Sequence, residues 1–318
     1  MKLYVAIILS GLLLALSAGC RRSRYYHLDA PAGASVRIEF DWDGYVEIPP
    51  GMNLVFYPVP GEDDGSDGNT HPVTMQLQYD GGKVSLPAGT YNVAVYSDYT
   101  YDIYYRGMDD FLTAEAYLQD YDRLPLATRF ADTRNVAEPD IYYVAQIKDL
   151  TLSPKDKDRV VVVRPELVTL TLYIHALVGG IANVKMSDGG VSGIASSVML
   201  ATGAAPDASP SNILFPFEIR PDELFATTRV FLPQDKTEAR YTLSLAFLLR
   251  NNAVVMDKYT YDVTDQIVMP LVENGGHIPP GGIHIYVRDI VVDDVVSSGG
   301  GFDAVIDGWG DRVDIELK

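Results

Sequence analysis

Cysteine is almost missing from this chain: its 318 residues include one, Cys20, so no disulfide can form within the molecule. Stability has to come from apolar burial, without the covalent staples found in many exported domains. Basic charge is also scarce, with 25 Lys and Arg against 43 Asp and Glu and a net charge of -18. Proteins that grip a phosphate backbone carry a basic patch or stripe, so nucleic acid is excluded as a partner. The apolar run that starts at Leu3 stops at Arg21-Arg22, short of the roughly twenty residues that span a bilayer. No Gly-x-Ser-x-Gly, phosphate-binding glycine loop or spaced metal-ligand cluster occurs either. These absences leave no enzyme class with a motif, and the reading is of a protein that is not an enzyme and needs no cofactor or metal.

What is present begins with residues 1–19. Lys2 is followed by about fourteen largely apolar residues and then by Leu16-Ser17-Ala18-Gly19-Cys20, the layout of a secretory signal peptide. Small residues at 18 and 19 let a peptidase reach the backbone, and a leucine upstream completes a lipobox. Cys20 is therefore expected to become the lipidated first residue of the mature chain, tethering it to a membrane, with residues 20–34 as a leader. The roughly 300 residues that remain, at roughly 100 to 200 per domain, suggest two domains.

Twenty-one tyrosines, 27 glycines and 19 prolines, spread through many short alternating runs, predict an all-β protein rich in turns. Val36, Ile38, Phe40 and Trp42 alternate with Arg37, Glu39 and Asp41, a strand with one wet face. Pro49-Pro50-Gly51 forces a turn before a second strand, Met52 to Tyr57. The acidic run Glu62 to Asn69 has the composition of a calcium loop without its spacing, and reads as a solvated hairpin tip. Asp80-Gly81-Gly82 between Val73–Tyr79 and Lys83–Leu86 reads as a hairpin turn, and Pro87 to Thr90 as the next turn of a meander into Tyr91–Val95. Asp109 to Tyr121 holds better helix formers and is expected to be a short helix or an irregular crossover.

The charged, proline-bearing segment 153–159 has no apolar face and is the expected linker. It separates an N-terminal sandwich, residues 35–152, from a C-terminal one, residues 160–318. In the second half, Val160–Val163 and Val168–His175 open the unit, Leu243 to Leu249 and Val254 to Val263 form a hairpin across Asn251-Asn252, and Ile283, Ile285 and Val287 form a further strand. Val313, Ile315 and Leu317 alternate with Asp314 and Glu316 to the last residues given. That end strand is the candidate for pairing with a partner, its backbone supplying affinity and its alternate side chains specificity.

Other residues invite chemistry less well. Ser192, among Gly189 to Ser197, lacks the nucleophile-elbow pattern. Asp109-Asp110 and Asp293-Asp294 are sequence neighbours, which on a strand point to opposite faces, so they read as solvated charges rather than a glycosidase pair. His277 and His284 lie seven apart without a third ligand, and His175 sits on the polar side of its strand, so all three read as turn or rim residues.

Several stretches taken together resemble the FimB-type fimbrial-anchor lipoproteins of Bacteroidales type V pili and their uncharacterised outer-membrane lipoprotein relatives. They are Cys20-Arg21-Arg22 with Val36 to Trp42, Gly51 to Pro58, Val84 to Tyr91, Ser192-Gly193 to Gly203, Asp262 to Asp265, and Gly308-Trp309. The resemblance implies two tandem transthyretin-like, Greek-key β-sandwiches, lipid attachment through Cys20 at the outer membrane, and fimbrial subunits as partners. It also implies that the first sandwich keeps its N-terminal strand. A carbohydrate-binding surface lipoprotein is the alternative; it requires an exposed platform of aromatic rings, for which the tyrosines between Tyr91 and Tyr105 are candidates.

Overall fold

The computed structural model describes residues 34–42, 44–60, 71–121, 134–156, 159–206 and 210–292. In the first half of the chain the strands are β1 (Ala34–Phe40), β2 (Gly51–Pro58), β3 (Val73–Gln78), β4 (Gly82–Leu86), β5 (Gly89–Ser97), β6 (Ile103–Arg106), β7 (Glu115–Leu118), β8 (Asn135–Val136), β9 (Tyr143–Leu152) and β10 (Arg159–Val163). The second half adds β11 (Glu166–Leu167), β12 (Thr169–Gly179), β13 (Val184–Ile194), β14 (Ser197–Met199), β15 (Ser211–Pro216), β16 (Glu218–Ile219), β17 (Glu223–Phe231), β18 (Thr242–Leu249), β19 (Val254–Asp262) and, after helix α1 (Thr264–Glu273), β20 (Ile283–Val291). The architecture is the all-β one that the alternating runs predict.

One sandwich faces the three-stranded sheet β10-β1-β4 against the five-stranded sheet β11-β9-β5-β2-β3. Its core is Val36, Ile38, Met52, Leu54, Phe56, Val93, Val95 and Tyr143 with their neighbours. The five-stranded sheet is covered on its other face as well, where Val55, Tyr57, Ala94 and Tyr96 join a second and larger core. Burial on both sides explains why β2 reads as a continuous apolar run rather than an alternating one.

That larger core is built mainly from the sheets β16-β17-β12-β20 and β19-β18-β13-β15-β8. Strand β12 shows how the sequence specifies it. Leu170, Leu172, Ile174, Ala176 and Val178 are buried, while Tyr173, His175 and Leu177 take the opposite face.

Several local expectations are corrected by the pairing. The turn at 80–82 does not close a hairpin: β3 pairs with β2, whereas β4 pairs with β1, so the turn carries the chain from one sheet across to the other. The next turn carries it back, because β5 pairs with β2 and β9; the meander is instead a pair of sheet crossings. Asp109 to Tyr121 contains turns and then β7, with no helix. Ala114, Ala116 and Leu118 are all fully buried, and that period of two outweighs the helix propensity of the residues. The helix that does form, α1, was not expected. It buries Ile267 and Leu271 four residues apart, and the Asp262 carboxylate accepts the Thr264 N–H at 2.9 Å ahead of its first turn.

Val160 to Val163, expected to open the second unit, pair instead in parallel with β1. In the other direction β7 pairs with β14 and β8 with β15. Strand pairing therefore crosses the segment 153–159 both ways. Trypsin is expected to cut in that segment, where Lys155 is exposed, yet the two fragments should elute together in native gel filtration. Separation of the fragments without denaturant would show that these ladders do not hold the halves together.

Candidate partner interface

The position of β1 governs what the first sandwich can accept. Ala34, Val36 and Ile38 are at most 1% exposed, and the strand is hydrogen-bonded on both sides, antiparallel to β4 and parallel to β10. Arg37 and Glu39 point outward and pair with each other at 2.9 Å. Full burial of a Val, Ile or Phe side chain contributes about 1.5–3 kcal/mol each, so withdrawing the strand forfeits several kcal/mol and two ladders. The slot between β4 and β10 is filled by the chain's own N-terminal strand.

Open strand edges are templates for other chains, and folded proteins blunt them. The outer edge of β20 is blunted by α1: the Gln266 side-chain amide donates to the Tyr286 carbonyl at 3.2 Å and its oxygen accepts the Tyr286 N–H at 2.7 Å. One side chain thus imitates a neighbouring strand. The Tyr259 hydroxyl donates to the Val291 carbonyl further along. Strand β10 is less protected, with Val160 47% and Val162 59% exposed. A cavity of about 290 Å³ lies between β10 and β9, lined in part by Ala145, Ile147, Val161 and Val163.

The outer face of β12 and β20 carries an aromatic cluster that the sequence did not single out as a unit. Tyr173 stacks on His284 at 4.8 Å and His175 on Tyr286 at 4.7 Å, with interplanar angles of 20° and 13°. His175 Nδ1 lies 3.0 Å from Glu223 Oε2, and its Nε2 lies 3.2 Å from His284 Nδ1. Hydrogen bonding to His175 is the largest influence holding the Glu223 carboxyl below the usual carboxylate range. Arg220 supports the same acid at 3.2 Å and covers the Phe225 ring at 3.6 Å. Of the tyrosines named as a carbohydrate platform, Tyr91 and Tyr96 are buried, whereas Tyr99 and Tyr101 are 67% and 84% exposed.

Cys20, Val313, Ile315 and Leu317 lie outside the described residues, as do Glu62–Asn69 and Asp293-Asp294. Ser192 lies in β13, paired with Asn212 and Thr242. It lines a cavity of about 380 Å³ walled by small residues, Pro206, Pro210, Pro233 and Arg240. None of its wall residues is a histidine or a carboxylate that could serve as a base. Asp110 accepts the Leu112 N–H at 2.7 Å and shapes a turn. His284 is beside His175 rather than joined to His277, whose N–H bonds the Asn274 carbonyl in the turn after α1. Among the described residues no group of three or more His, Cys, Asp and Glu could hold a metal.

A family model described as a domain of unknown function, DUF5119, matches residues 19–216. The chain belongs to this family. The match runs from the residue before Cys20 through β15 and so takes in strands of both sandwiches. A Bacteroides ovatus protein provisionally named fimbrium anchoring subunit Fim4B is 26% identical, over 98% of this chain and 96% of that protein. Among solved structures, one described provisionally as an adhesin from Bacteroides ovatus superposes with a TM-score of 0.65 at 23% identity, covering 82% of this chain and 93% of that one. The fimbrial anchor protein Mfa2 from Porphyromonas gingivalis superposes with a TM-score of 0.51 at 11% identity, covering 80% and 90%. At these identities the two structures speak for the fold alone.

Proposed function

We propose that this DUF5119 protein anchors a fimbrium: it sits in the outer membrane through lipid on Cys20, faces the cell surface, and joins the first fimbrial subunit by strand addition. The near-full-length likeness to the protein provisionally named as a fimbrium anchoring subunit supports the fimbrial role. The observation that carries the anchor reading is β1, seated between β4 and β10 with its inward side chains buried. A subunit that keeps this strand stays covalently joined to Cys20 and cannot take a neighbour's strand in the same slot. It can end a polymer at the membrane but not extend it in that direction.

What the chain offers in return is the end strand with Val313, Ile315 and Leu317, whose alternate apolar side chains fit the pockets of an acceptor groove. Deleting residues 311–318 is expected to abolish pull-down of fimbrial subunits and to release fibres from cells, while thermal unfolding of the truncated protein stays close to that of the full chain. Normal fibre attachment with a folded truncation removes the end strand from the mechanism. Normal attachment after loss of the whole protein removes the anchor reading itself.

A further inference from the structure

The pair His175 and His284 is not used by the anchor reading, and its geometry has a chemistry of its own. Parallel pairing of β12 with β20 sets Tyr173 opposite His284 and His175 opposite Tyr286, so the two imidazoles meet on the diagonal, with nitrogens 3.2 Å apart. An ionised carboxylate can only accept a hydrogen bond, so Glu223 fixes the proton of His175 on Nδ1. Nε2 of His175 then accepts the Nδ1–H of His284 at 3.2 Å, and a cation held by both nitrogens takes the place of that proton, which leaves or shifts to Nε2 of His284. From the geometry we infer that this pair is a two-histidine site for a late transition metal such as zinc, with Glu223 as the orienting partner.

Zinc holds imidazole nitrogens at about 2.0–2.1 Å in a tetrahedral arrangement, which places two ligand nitrogens about 3.3 Å apart. The observed spacing needs little adjustment. A ligating histidine generally donates its other ring N–H to a carboxylate or carbonyl, which fixes the tautomer and raises the basicity of the ligand; Glu223 stands in that position at 3.0 Å. Its other oxygen is engaged by Arg220, so Glu223 orients a ligand and is not itself a spare one. Stacking on Tyr173 and Tyr286 restrains both rings. Imidazole ligands favour zinc, copper and nickel over magnesium and calcium. The chain supplies two ligands, which leaves two positions for water or for a side chain of a neighbouring subunit. A metal here would also clip the edge strand β20 to β12 across their ladder.

The test is calorimetric titration of the full chain with zinc chloride, alongside thermal unfolding with and without the ion. Expected results are one ion bound per chain and a rise in unfolding temperature. His284→Phe, which retains a ring to stack on Tyr173, should abolish both, and Glu223→Gln should weaken binding about tenfold. His277→Ala should leave both intact. Absence of binding by the wild-type chain overturns the site, and so does unchanged binding by the His284→Phe variant. Unchanged affinity in Glu223→Gln overturns the orienting role of that carboxylate.

Discussion

Replacing Cys20 with alanine is expected to move the protein from the membrane fraction to the soluble fraction. Each buried methylene of an acyl chain contributes about 0.8 kcal/mol; one chain gives reversible binding, and two or more give a stable anchor. Among the described residues no helix is long and apolar enough to cross a membrane, so none of these helices can substitute for the lipid. Residues Arg21, Arg22 and Arg24 follow the cysteine and attract anionic lipid by about 1 kcal/mol each at low salt. The Cys20→Ala chain is therefore expected to show some residual binding that is lost as salt is raised. Fractionation of cells at two ionic strengths measures both effects. An unchanged, salt-resistant membrane population in Cys20→Ala would remove the lipid anchor from the proposed function.

Gly81→Ala is expected to unseat β1 and to lower the unfolding temperature by roughly 6–12 °C, taking about 3 kcal/mol of strain and about 2–4 °C for each kcal/mol. Gly81 has φ +96°, a region that L side chains rarely adopt, and a Cβ there would stand 2.0 Å from the Ile38 carbonyl oxygen. Ile38 is fully buried at the centre of β1, and its partner in β4 is Gly82, the next residue of the turn. The clash is with backbone inside a ladder, which cannot swing aside. Gly82→Ala is the control in the same turn, because its Cβ would meet the Leu77 side-chain tip at 3.0 Å, and that tip can rotate away. It should cost less than half as much. Equal losses from the two substitutions, measured by thermal or urea unfolding, would show that the close approach of the turn to β1 does not hold the strand in place.

Some of the strands were legible in the residues themselves, whereas β13 to β17 were not. Alternation marks β1 and β12, and Asn251-Asn252 between two alternating runs marks the β18–β19 hairpin, where Asn252 takes a positive φ of 66°. In such cases one face is buried, and the period of two is written into five to ten neighbouring residues. Helix α1 was harder to read. Its apolar pair Ile267 and Leu271 is short, and Pro270 inside it reads as a breaker because it cannot donate to the helical ladder.

Partner choice was the part that local pattern could not carry. A glycine turn such as 80–82 reverses the chain but does not say which sheet receives it, and only the cores on either side send β3 and β4 to different sheets. The same holds for Val160–Val163, whose side chains suit any sheet and whose place beside β1 depends on a strand more than a hundred residues away. The sequence sets His284 near His277, seven residues back, while the register of two parallel strands sets it against His175. Alternating side chains define the faces of a strand through neighbours along the chain. Ladder partners and the sites that form between them depend on contacts that exist only once the whole sandwich has closed, and for that reason strands such as β1 and β12 were readable in advance and the histidine pair was not.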